Sequence, residues 1–228
     1  MTDTFEAPSA GESPNSSPWE EAYLRFESPA QEVQKFLRRL REVGAAEWPR
    51  NSQIVELFCG RGSGLHALQQ LGFTELEGVD LSPRLLAEYR GPGTIQCCDC
   101  RKLVFADGSR DIAIVQGGLH HLPNLPADLE MTILEVRRVL RPGGRFVVVE
   151  PWLTPFLQVV HRIAATPLAR RLSRKVDALQ TMIEHEIVTY QQWLGQPDLV
   201  LRQFELRFDT ERCDRRWGKL MYVGRRPA

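Results

Sequence analysis

The chain has 228 residues, of which 43% are hydrophobic, and its 29 basic side chains balance 29 acidic ones. That length can bury a full core as one domain with additions, and the balanced charge argues against a bulk electrostatic grip on nucleic acid or on a membrane. No apolar run reaches the length of a membrane span and the N-terminus lacks a basic, apolar leader, so the expected setting is cytoplasmic, with no membrane partner. The balance hides an asymmetry: residues 1–150 hold 16 Lys/Arg and 21 Asp/Glu, and residues 151–228 hold 13 and 8. Solvated helix faces account for such a difference.

In chain order, residues 1–18 are rich in Ser, Pro, Gly and acids and are expected to be a disordered tail. Residues 19–50 form a lead-in. Within it Val33, Phe36, Leu37 and Leu40 share one helical face, and Pro29 followed by Gln31 and Glu32 marks a helix start. An apolar run from Ile54 then passes through Glu56 and Phe58 and breaks into Cys59-Gly60-Arg61-Gly62-Ser63-Gly64. Residues 65–71 read as a helix, and a second short strand ends at Asp80, 24 positions after Glu56. Glycines let the backbone come close to a ligand, and an acid at Asp80 can take two ribose hydroxyls.

The spacing decides which nucleotide fits. A dinucleotide fingerprint wants a third glycine where this chain has Leu65, and Glu56 would repel a phosphate. No Gly-Lys-Ser/Thr follows, which excludes a P-loop. A carboxylate beside the loop suits a ligand with a positive end and no phosphate, and S-adenosylmethionine is such a ligand.

With Glu56-Leu57-Phe58-Cys59-Gly60-Arg61-Gly62 and Asp80 in this order, the chain resembles the class I S-adenosylmethionine-dependent methyltransferases of the type 11 kind. Phe58 stands where that family normally has its first glycine, which predicts a backbone without strong strain there. The resemblance continues through Gln96–Cys100 at the third strand exit, Phe105–Val115 into the fourth strand and Gln116–Leu122 after it. Val139–Glu150 then matches the turn and fifth strand. It implies an α/β fold, a doubly wound and mostly parallel seven-stranded Rossmann-like sheet over residues 51–228. The strands are expected near 53–58, 75–80, 94–97, 111–116 and 144–150, and Leu199–Leu201 and Leu220–Gly224 are expected to close the sheet. It also implies a cofactor site of Glu56, Phe58, Gly60, Arg61, Gly62, Asp80, Leu81, Asp99, Cys100 and Gln116. Asp99 would accept from the adenine amino group. Tyr23, Arg25 and Phe26 in the lead-in are candidates to cover the cofactor.

Residues 155–195 look like a helical lid insertion. Val176, Leu179, Ile183, Ile187, Tyr190 and Leu194 form a core-facing stripe, with Met182, Glu186, Thr189 and Trp193 on a neighbouring face that could line a half-apolar pocket. Methyl transfer is an in-line displacement that needs a base only for a protonated, weakly acidic acceptor. The candidates are His121, His120, Glu150 and Glu186, while His66, His161 and His185 read as structural. Cys97, Cys98 and Cys100 lack the paired spacing of a zinc site and read as small pocket residues, so no metal is expected. The function expected is methyl transfer to an O, N or C atom of a small molecule. An S-adenosylmethionine-binding protein without transfer chemistry is the alternative. A nucleic-acid methyltransferase is disfavoured, because no Asn/Asp-Pro-Pro-Tyr/Phe follows the fourth strand.

Overall fold

A computed structural model describes residues 17–228; residues 1–16, most of the expected tail, lie outside the described residues. Helices α1 (Ser17–Phe26) and α2 (Pro29–Glu42) come first. Ser28 separates them. Its hydroxyl accepts from the Gln31 amide, the Gln31 side chain accepts from the Ser28 amide, and Pro29 takes the first helical position. This reciprocal cap satisfies donors that a bare helix start leaves open. Helix α2 buries Phe36, Leu37 and Leu40 as the pattern predicts, and buries Glu32 beside them.

Five strands are parallel: β1 (Ile54–Leu57), β2 (Leu76–Asp80), β3 (Thr94–Cys97), β4 (Arg110–Gln116) and β5 (Leu140–Pro151). Two more, β6 (Asp209–Arg216) and β7 (Lys219–Arg225), close the sheet antiparallel to their neighbours. The order is β3-β2-β1-β4-β5-β7-β6. The chain winds outward from β1 to β3 and then restarts at β4 on the other side of β1. That reversal opens a crevice at the strands' carboxyl ends.

The sheet has a core on each face, as a buried parallel sheet requires. Ile54, Ile112 and Ile114 pack with Phe36, Leu37 and Leu40 of α2 and with Leu65 and Leu68 of α3 (Ser63–Gln70). Val55, Leu57, Ala113 and Val115 pack on the other side with Ile133 and Val136 of helix α5 (Ala127–Val139). The short helix α4 (Pro83–Ala87) follows β2, capped by the Ser82 hydroxyl.

The closing strand expected at Leu199–Leu201 is not a strand. These residues lie in α10 (Pro197–Glu205), where Pro197 starts the helix and Val200 and Phe204, four apart, are buried. The closing strand is instead β6, Asp-Thr-Glu-Arg-Cys-Asp-Arg-Arg, at the sheet edge. An edge strand with one wet side carries charge and gives little apolar signal.

The insertion is helical, as expected: α6 (Pro155–Ala164), α7 (Pro167–Leu172), α8 (Arg174–His185) and α9 (Ile187–Gly195). The chain breaks between α8 and α9 at Glu186, whose φ is −116°. One straight stripe therefore does not persist across the break. Ile187, expected in the core, is exposed, while Met182, Glu186, Tyr190 and Trp193 are buried.

Candidate functional site

A cavity of about 950 Å³ opens at the carboxyl ends of the strands. Its floor is made by the loops after β1, β2 and β3 and by Gln116 at the end of β4, and its roof by α1, α2, α8 and α9 with the turn after β4, backed by the end of β5. Asp80 fixes the floor. Its Oδ2 accepts from the Gly60 amide at 2.8 Å and its Oδ1 from the Ser82 amide at 2.8 Å. Burial raises its pKa, and the two amides only partly offset this. The glycine loop is tight because its neighbours demand it. Gly62 has φ +76°, and a Cβ there would meet the Tyr89 ring at 2.2 Å; a Cβ on Gly64 would meet Glu56 Oε1 at 1.9 Å.

Phe58 corrects an expectation. Its φ is +55°, so the backbone does adopt the left-handed region that a glycine would enter freely. The cost, about 1 kcal/mol or more, is offset by packing: the ring lies on Gly118, where a Cβ would meet Phe58 Cγ at 2.3 Å. Phe58 thus takes a left-handed backbone and relies on Gly118 for space.

Beneath the loop, the Gln116 Nε2 donates to Glu56 Oε1 at 3.3 Å. Glu56 Oε2 and Gln116 Oε1 are buried without a partner. Burial pushes the Glu56 carboxyl up to about 8. Orphaned buried acceptors are costly, and a cationic donor is what these two lack. Gln116 lines the cavity and Glu56 stands behind it, an arrangement that fits the ammonium end of S-adenosylmethionine.

At the other end of the floor, Asp99 and Cys100 line the cavity with Leu81. Burial opposes ionisation of Asp99, but Arg101 grips both its oxygens, at 2.7–3.1 Å, and brings it below the usual carboxylate range. Arg101 also lines the cavity, a residue that the sequence reading missed. The Cys100 thiol meets Thr132 Oγ1 at 3.5 Å and is pushed up to about 12 by burial. Cys98 bonds to the Lys102 carbonyl and Cys97 is exposed, so the three thiols have separate surroundings. Arg61 is engaged elsewhere: its Nε donates to Glu32 Oε2 at 2.8 Å and its guanidinium to the Glu27 carbonyl at 2.7 Å. That clamp ties the glycine loop to α2, and Tyr23 joins it by donating to Glu32 Oε1 at 2.8 Å.

The roof carries the four other candidates, and they meet. After β4 the chain makes a short 3-10 turn, Leu119–His121. Glu150, at the end of β5, accepts from the Gly118 and Leu119 amides at 2.7 and 2.8 Å and holds His120 Nδ1 at 2.7 Å. On the far side His120 Nε2 lies 3.7 Å from Glu186 Oε1. Burial alone would lower the His120 pKa, but the two carboxylates overcome it and push it up to about 10. Burial likewise opposes the charge on Glu150 and on Glu186, yet both lie below the usual carboxylate range, held there by the histidines and, for Glu150, by the backbone amides. The two carboxylates thus favour the charged form of His120, which suits it poorly to taking up a further proton.

His121 differs. Its Nδ1 is 2.8 Å from Glu186 Oε2 but is misaligned, so it makes no hydrogen bond. Glu186 Oε2 instead accepts from Trp19 Nε1 of α1 at 2.9 Å, and the Trp19 ring stands edge-on to His121 at 5.2 Å. Trp19 is a second residue the sequence reading missed. Its spacing with Tyr23 and Phe26, at i, i+4 and i+7, was the available signal. His120, His121 and Glu186 offer ligand atoms within 4.8 Å of one another, the one such group among the described residues. A cation there would have to displace the proton that His120 holds between its carboxylates.

Several similar chains among known proteins are methyltransferases by name. A family profile described as a methyltransferase domain matches residues 55–148. A demethylmenaquinone methyltransferase of Beutenbergia cavernae is 32% identical over 58% of this chain and 57% of its own length. A sterol 4-C-methyltransferase of Caenorhabditis elegans is 27% identical over 55% of this chain and 40% of its own. The chain spans about half the length of the curated relatives it matches. A Pyrococcus horikoshii protein superimposes with a TM-score of 0.65 over 93% of this chain and 100% of its own, at 19% identity, which speaks to the fold alone.

Proposed function

We propose that this chain is a class I S-adenosylmethionine-dependent methyltransferase, as its similarity to a methyltransferase domain profile and to curated methyltransferases supports, and that it transfers a methyl group to an O, N or C atom of a small molecule with an apolar body. The observation that carries this reading is one cavity with two unlike walls. Its floor offers Asp80, Asp99 and the orphaned Gln116 acceptor to a nucleoside with a cationic end. Its roof offers Trp19, Phe26, Leu179, Met182 and Ile183 to an apolar partner. The names of the relatives, for a sterol and for demethylmenaquinone, support an apolar acceptor.

When bound, S-adenosylmethionine supplies an electrophilic methyl group on a sulfonium. The chain's residues do the rest. Asp80, pinned by two amides, takes the ribose hydroxyls, and Glu56 with Gln116 takes the ammonium. Asp99 and the Cys100 backbone hold the adenine edge, and Leu81 flanks it. Helices α1 and α8 exclude water and hold the acceptor in line. His121 accepts the proton when the acceptor must lose one, with the Glu186 carboxylate beside it to stabilise the charge it gains. His120 and Glu150 position Glu186 and the turn after β4.

Calorimetric titration with S-adenosylmethionine, S-adenosylhomocysteine and NADH tests the cofactor. Binding of the first two and not the third is expected, and the reverse would overturn the reading. An acceptor screen follows. With an acceptor in hand whose methylated group must lose a proton, His121→Ala should lower kcat roughly 10²–10⁴-fold with S-adenosylhomocysteine affinity unchanged. Glu186→Gln should likewise act on turnover and not on cofactor affinity.

A further inference from the structure

The insertion has an outer face that the cavity does not use. On α6, Leu157, His161 and Ala164 turn inward: Ala164 is buried, and His161 Nε2 lies 3.1 Å from the Tyr190 hydroxyl of the cavity wall. Phe156, Val159 and Ile163, at i, i+3 and i+7, turn outward and are 47%, 52% and 57% exposed. Two residues after α6 ends, α7 presents Leu168 and Leu172, four apart and 67% and 77% exposed. Trp217, in the turn between β6 and β7, meets Phe156 edge-on at 5.6 Å and is 69% exposed. Its φ is +53°, a conformation that Gly or Asn adopts at lower cost than a bulky ring. A lone exposed leucine needs no explanation, but large apolar side chains gathered on two successive helices and a strained tryptophan do.

The charges around this face have one sign. Residues 151–176 hold five Lys/Arg (Arg162, Arg170, Arg171, Arg174 and Lys175) and no Asp/Glu. Arg170 pairs with Asp177 and Glu184, and Lys175 with Glu27. Arg162, Arg171 and Arg174 are exposed with no carboxylate partner among the described residues, as are Arg215 and Arg216 beside Trp217. The mildly basic C-terminal portion of the sequence is thus largely concentrated beside an apolar face.

We propose that α6, α7 and the Trp217 turn dock this protein on an anionic lipid bilayer, with the apolar side chains entering the headgroup–acyl boundary and the arginines meeting lipid headgroups. Amphipathic helices with a basic rim lie in such an interface without spanning it, and tryptophan favours the same depth because one end of its ring is polar. The balanced charge of the whole chain is no obstacle, because bilayer attraction acts over about a Debye length, roughly 8 Å, and is therefore local. The proposal goes beyond methyl transfer and does not depend on it. It would set the cavity one helix away from a membrane.

Vesicle flotation of the full chain tests it, with vesicles of phosphatidylcholine alone and of equal parts phosphatidylcholine and phosphatidylglycerol. Trp19, Trp48, Trp152 and Trp193 are all buried, so a change in tryptophan emission on binding reports Trp217. The expected result is flotation with the anionic vesicles only, reversed by salt, with a blue shift that Trp217→Phe removes. The pair Ile163→Glu and Leu172→Glu should abolish flotation while circular dichroism stays unchanged. The pair Arg171→Glu and Arg174→Glu should weaken binding roughly tenfold or more. Failure to float with either vesicle would overturn the proposal. So would a concentration-dependent dimer in sedimentation that the Ile163 and Leu172 substitutions dissolve, because the face would then be a protein interface.

Discussion

The floor and the roof of the cavity solve the same problem by different physics. The floor offers a ligand backbone amides and short acids that strand ends and a glycine loop hold in place. The roof depends on side chains from elements far apart in the chain. Glu186 alone joins Trp19, His120 and His121, a span of 167 residues between the first two bonded groups. A floor of this kind is rigid because the sheet is. A roof of this kind stands only if buried charges stay in balance, so it is the more sensitive of the two to substitution and to pH.

The largest expected effect falls on the roof. Glu150→Ala removes the partner of the buried His120 cation and orphans two amides, so it should destabilise the fold by about 3–5 kcal/mol, measured by urea denaturation. The pH dependence carries the same signature. His120, raised to about 10 from an ordinary 6.5, contributes stability that is fully present below 6.5 and is lost as pH rises through 10. Glu150 and Glu186, both depressed, contribute stability that is present above their ordinary 4.5 and is lost as pH falls. Stability should therefore peak at mildly acidic pH, between about 4.5 and 6.5, and the alkaline loss should shrink in the Glu150 variant. An unchanged alkaline limb would mean that His120 is not the group responsible.

On the floor, Asp80→Ala should weaken S-adenosylhomocysteine binding by about 1–3 kcal/mol, read by calorimetry, with a smaller effect on the fold than at Glu150. Equal affinity would remove Asp80 from the ribose. Glu56 sharpens the comparison further. Its pKa of about 8 means that the folded protein holds this proton more tightly than the unfolded chain does. Its contribution to stability therefore falls as pH rises from 4.5 to 8. Affinity for the cationic cofactor should rise over the upper part of that range, as the carboxylate becomes available. Glu56→Gln should flatten both trends, and a pH-dependent affinity that survives the substitution would assign the proton to another group.

The smallest effect belongs to the roof's outer edge. Arg25, named with Tyr23 and Phe26 as a possible cover, pairs with Asp177 at 3.3 Å where both side chains are largely solvated. Arg25→Ala should change stability by about 0.5 kcal/mol or less, within the error of a thermal melt. A larger loss would mean that the contact between α1 and α8 closes the roof through charge and not through the Trp19 ring and its bond to Glu186.

What the sequence determined by itself follows from locality. Glu56, the glycine loop, Asp80, Asp99 and Gln116 each mark the end of a strand, and buried parallel strands announce themselves as apolar runs. The order of those runs sufficed for the five parallel strands and the crevice at their ends, and it supports the ligand class proposed for the floor. The helix start at Pro29 was legible for the same reason, because Pro29, Gln31 and Glu32 lie within one turn of chain. Tertiary structure decided the rest. The edge strand β6 is too charged to read as a strand, and Leu199–Leu201 reads as one only until Pro197 starts a helix there. The left-handed turn at Phe58 depends on the space that Gly118 leaves. Clamping Arg61 to Glu32, setting Arg101 on Asp128 and closing Trp19 over Glu186 all bring together partners whose separation in sequence carries no periodic signal. The proton on His120 is decided last, because it requires two carboxylates from β5 and the α8–α9 break to be buried on either side of one ring.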